Sequence, residues 1–72
     1  MHKISVTVPN IRNGIGSEIK IGLYSFDVAV IVDKKGGCLG GDFIFYLSGT
    51  AKALKEATNY IIDTLSELDD DI

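Results

Sequence analysis

This chain has very little of the residues that most often carry chemistry: among its 72 residues there is one cysteine, one histidine and one proline. Cys38 alone cannot form an internal disulfide, and a zinc or iron–sulfur site needs several thiolates or imidazoles, so no such site can be completed within one chain. His2 is the sole imidazole and stands at the N-terminus, so Ser5, Ser17, Ser25, Ser48 and Ser66 have no histidine partner in any ordered element. A hydrolytic nucleophile needs an adjacent base held by a third group, and that constellation is missing. The chain is therefore expected not to be an enzyme. Arginine occurs once, at Arg12, without the clustered basic face of a nucleic-acid binder. No run reaches the ~18 apolar residues that would span a membrane. Met1–Ser5 lacks the apolar core of an export signal, and with a free thiol the expected location is the cytoplasm.

What the chain does have is apolar surface. Hydrophobic residues make up 46% of it and its mean hydropathy is +0.23. A domain this small buries only roughly 60% of its unfolded surface and usually needs a disulfide, a metal or a partner subunit for support. With the disulfide excluded, a homo-oligomer is expected, or a metal shared between chains. The net charge of −3 is unevenly spread: the last ten residues carry five acids and no base. The acidic tail, residues 69–72, reads as a solvated, disordered end of a single domain spanning 1–72.

Lys3–Val8 alternates polar with β-branched residues, which predicts a half-buried strand with Ile4, Val6 and Val8 inward, ended by Pro9 and Asn10. Asn13–Gly16 reads as a connector. From Glu18 the alternation of Ile19, Ile21 and Leu23 predicts strand again, with a bulge or break near Gly22 or Ser25. Val28–Val32 and Phe43–Leu47 are continuous apolar runs, as in strands covered on both faces. They predict an antiparallel hairpin joined by the glycine-rich stretch between them. After Ser48-Gly49-Thr50 the period changes: Leu54, Ala57, Ile61, Leu65 and Leu68 form a helical stripe, with Ser48 or Thr50 as its cap. The expected fold is α+β, a three- to four-stranded, mainly antiparallel sheet with one long C-terminal helix on one face. One helix covers one face, so the other is assigned to another subunit.

The stretch Asp33–Asp42 holds four glycines in ten residues. It has no Walker spacing and leads into a strand rather than a helix N-terminus, so a phosphate site is not supported. Cys38 can serve as a small packing residue in a tight turn. In a symmetric oligomer, one Cys38 from each chain could instead meet at the axis and share a metal.

Residues 28–60 resemble the second half of a bacterial microcompartment shell domain. The likeness rests on Val28-Ala29-Val30-Ile31-Val32, then Lys34-Lys35-Gly36-Gly37, then Phe43-Ile44-Phe45-Tyr46-Leu47-Ser48-Gly49, and a helix opening on Ala53-Leu54-Lys55-Glu56-Ala57. It is nearest to shell proteins with a cysteine in the pore loop, in which the cysteines surround an iron–sulfur cluster on the axis. The resemblance implies a pore loop of Lys35, Gly36, Gly37, Cys38 and Leu39, with Cys38 as the ligand of a metal or cluster shared between subunits. That family places a helix between its first strand and the strand matched by 28–32, whereas Pro9–Ser25 reads here without a helical pattern. It also continues with a further strand after the matched helix.

The function so implied is a structural, self-assembling shell-type subunit that passes small polar metabolites and contacts other shell subunits. Glycine N–H groups together with Lys34 and Lys35 would favour anionic or polar solutes. Two other functions fit the same residues: a small oligomeric module that binds a metabolite or protein at subunit clefts, and an accessory subunit of a larger complex.

Overall fold

The computed structural model describes residues 1–36 and 41–69. In chain order it contains β1 (His2–Pro9), α1 (Ile15–Leu23), β2 (Val28–Lys35), β3 (Asp42–Gly49) and α2 (Ala51–Asp69). The sheet has the order β1-β3-β2, and β3 is antiparallel to both neighbours. The α+β class, the three antiparallel strands, the 28–35/42–49 hairpin and the long last helix are as the sequence predicts. No described helix is long and apolar enough to cross a membrane.

The register places Val6, Phe45 and Val32 abreast across the sheet, and likewise Ile4, Leu47 and Val30. Side chains alternate along each strand, so these residues share one face. Phe45 and Leu47 are fully buried there, together with Val8. Ile4 is 36% exposed although it points the same way, so β1 is covered best towards Pro9.

The expected strand from Glu18 onward is instead α1. Ile15, Ile19 and Leu23 stand four residues apart, and all three are fully buried in the core. Ile21, which a strand would have placed beside Ile19 and Leu23, is 70% exposed. Gly14 begins the helix in the left-handed region, at φ 85°, where a side chain would be strained. Glu18 lies in the first turn and Lys20 in the last, each at the helix end whose dipole it complements. The expected bulge near Gly22 or Ser25 is the exit from this helix, where the Ser25 hydroxyl donates to the Gly22 carbonyl over 2.7 Å.

The two helices join the same core. Ile15, Ile19 and Leu23 cluster with Leu54, Ala57 and Ile61 over Phe45 and Leu47. Close packing depends on two glycines of α1. A methyl group at Gly16 would meet the Phe43 ring at 2.7 Å, and one at Gly22 would overlap the Tyr60 ring. Tyr60 also stacks on Phe26, with ring centroids 5.7 Å apart.

Of the two expected caps of α2, Ser48 and Thr50, it is Thr50 that serves: its hydroxyl oxygen accepts the Ala53 N–H over 3.1 Å, and its carbonyl accepts the Leu54 N–H over 2.9 Å. Thr50→Ala removes the first bond only and is expected to cost about 1 kcal/mol. A urea titration would show this as a lower midpoint with an unchanged slope.

Both helices lie on one face, so within a single chain the other face of the sheet is open. It carries Lys3, Ser5 and Thr7 from β1, Ile44, Tyr46 and Ser48 from β3, and Ala29, Ile31 and Asp33 from β2. Ile31 is 68% exposed and Tyr46 42%.

Candidate functional site

The hairpin between β2 and β3 closes on the pair Lys35 and Asp42, the last rung of the ladder. Just beyond it, Gly36 and Gly41 have φ values of 113° and 109°. At Gly41 the shape is tightly determined. A Cβ there would overlap the Lys35 carbonyl oxygen and come within 3.0 Å of the Gly36 Cα. The two ends of the loop therefore approach each other backbone against backbone, which only a residue without a side chain allows. The Asn10 N–H donates to the Gly41 carbonyl over 3.1 Å, tying the exit of β1 to the same point.

Of the residues expected to form a pore loop, the structure places Lys35 and Gly36 at the mouth of this turn. Gly37, Cys38 and Leu39 lie outside the described residues, as do residues 70–72 of the acidic tail. Among the described residues, no group of three or more His, Cys, Asp or Glu could hold a metal ion.

Lys34 and Lys35, the two lysines expected to favour anionic or polar solutes, stand on opposite faces of the sheet. Lys34 points to the helix face, where its ammonium sits 5.6 Å from the centre of the Phe43 ring. Lys35 points to the open face, directly across from Asp42. The Lys34 N–H donates to the Asp33 carboxylate over 2.9 Å. Arg12 pairs with Glu18, the only ion pair among the described residues. The mouth thus carries both signs.

Sequence reasoning passed over Asn10 and Gly41 as partners, and over Lys3 and Asp33 as residues of an open face. The alternation of β1 contained the signal for Lys3, which it sets on the face opposite Val6 and Val8, whereas the continuous apolar run of β2 concealed the position of Asp33. The contact of Asn10 with Gly41 required the β1–β3 register, which joins residues about thirty positions apart. The chain has no significant match among protein-family models, curated proteins or solved structures.

Proposed function

We propose that this chain is a self-assembling structural subunit, similar to a microcompartment shell subunit, that forms a closed ring with its 36–41 loop at the rotation axis. The observation that carries this reading is α1. The family resembled by residues 28–60 places a helix between its first strand and the strand matched by 28–32, and α1 occupies that interval. The order strand, helix, strand, loop, strand, helix accordingly runs through the described residues, which answers one of the two departures seen in the sequence. A second support is the loop mouth itself, where Gly36 and Gly41 bring the two ends of the 36–41 loop together at one end of the sheet.

On this reading the ring forms a barrier, small polar metabolites pass at its axis, and Cys38 from each chain meets its copies there. A cluster bound at that point would supply redox or structural chemistry. The chain's own contribution would be one thiolate per subunit.

The full chain, purified without oxygen, is expected to give a light-scattering mass of three or six subunits. A brown colour and bound iron in the same sample would belong to the thiolates, and Cys38→Ser should abolish both while leaving the mass unchanged. A chain that remains a monomer at every concentration would overturn the assembly.

A further inference from the structure

The open face of the sheet has a definite pattern of polarity. Its centre is apolar and aromatic, with Ile31 and Tyr46 abreast in one row and the half-buried Ile44 in the next. Lys3, Ser5, Ala29, Ile31, Tyr46 and Ser48 line one shallow depression on it. Lys3 and Asp33 stand at diagonally opposite corners, because Lys3 pairs with Ser48 at one end of β3 and Asp33 pairs with Ile44 towards the other. Neither is in an ion pair among the described residues, where Arg12–Glu18 is the only one.

We infer that this face binds the same face of a second copy of the chain, about a two-fold axis passing near Tyr46, with the strands of the two sheets crossing steeply. The orientation follows from the corners. Strands lie ~4.8 Å apart and alternate residues ~6.8 Å apart along a strand, so the line from Lys3 to Asp33 is inclined about 35° to the strands. A two-fold axis perpendicular to that line, in the plane between the sheets, brings Lys3 of each copy over Asp33 of the other. The strands then cross at about 70°, nearer to orthogonal than to aligned sheet packing. If the axis runs along or across the strands, Lys3 faces Ala29 or Thr7 and Asp33 faces Thr7 or Ala29, so no charge finds a partner. The diagonal arrangement is therefore the one that charge selects. The other two charges on this face, Lys35 and Asp42, already stand opposite each other and lie beyond the overlap of the two sheets.

The face is small. Three strands by about six residues cover roughly 300 Å², well under the ~800 Å² per partner of a standard interface. The contact is therefore weak and reversible, and it is weakened by salt because its pairing is ionic. It does not depend on the ring: it doubles whatever species the chain otherwise forms.

The test is sedimentation velocity on the full chain from about 10 μM to about 1 mM, in low salt. The unmodified chain should double in mass as concentration rises. Lys3→Glu sets acid against acid at both contacts, and Asp33→Lys sets base against base. Each should weaken doubling about tenfold or more. Both positions are exposed, so circular dichroism should show the fold intact. An equimolar mixture of the two variants restores one opposite-charge pair at each contact, and should double as the unmodified chain does. If either variant alone doubles normally, or the mixture fails to, the face-to-face contact is wrong. A ring of three or six that persists in both variants would leave the proposed function standing whichever way this result falls.

Discussion

Phe45→Ala is expected to lower the unfolding free energy by about 3–5 kcal/mol. Phe45 is fully buried at the middle of the central strand, abreast of Val6 and Val32, and in the core cluster with residues from both helices. Truncating it removes packing between the central strand and both helices at once, and the surrounding elements cannot collapse onto the gap without losing register. For a chain of this length, total stability is on the order of 4–11 kcal/mol, so one substitution removes a large part of it. Urea titration followed by circular dichroism measures the loss. Its control is the next residue: Tyr46→Ala, on the open face, should cost under about 1 kcal/mol in dilute solution. If the two costs were reversed, the strand would be displaced by one residue, which exchanges the faces of every side chain on it.

The second large effect is expected at Gly41. Alanine there meets two separate obstacles, a backbone at φ 109° and overlap with the Lys35 carbonyl oxygen. The obstructing atom belongs to the main chain of the neighbouring strand, so it cannot rotate away as a side chain would. A loss of about 2–3 kcal/mol is expected, at the upper end for a strained position. Gly14→Ala separates the two obstacles, because φ is also positive there, at 85°, while nothing lies within 4 Å of the added methyl. It should cost only the conformational part, about 1–2 kcal/mol. If the two variants proved equally destabilised, as measured by thermal or urea unfolding, the close approach at the loop mouth would be wrong.

The sequence was legible wherever one pattern fitted and its rival did not. Lys3–Val8 alternates over six residues, and the stripe from Leu54 to Leu68 holds helical spacing over four turns, so β1 and α2 could be placed directly. The hairpin followed from two apolar runs on either side of a glycine-rich stretch. α1 was missed because Ile19 and Leu23 belong to both templates. Paired with Ile21 they alternate, and paired with Ile15 they repeat every four residues. Two isoleucines and a glycine within the segment favoured the first pattern, and only burial distinguishes them. Ile15 is inside and Ile21 outside, which tertiary packing decides. At the candidate site, the glycine loop was evident from composition, and Lys35 entered through the family resemblance. The loop's closure by Gly41 and its tie to Asn10 were not evident, because both depend on β1 arriving beside β3 from a distant part of the chain.

The central position of β3 also governs how the molecule can be made. β1 and β2 are both edge strands and do not touch each other; each has β3 as its neighbour. During synthesis, β1 is finished roughly 40 residues before β3 is. At ~5–20 residues per second that is an interval of about 2–8 s in which no sheet can exist. Throughout it, Val6 and Val8 have no strand beside them, and the buried face of α1 has no strand layer to rest on. The emergence of Asp42–Gly49 supplies both edges with a partner at once, so nascent chains should pass from unpaired to fully paired without a stable two-stranded stage that includes β1 and β2 alone. A nascent chain that has emerged only as far as Lys35 would hold β1, α1 and β2 with their apolar faces uncovered, and it is in that window that a chaperone would find most to bind.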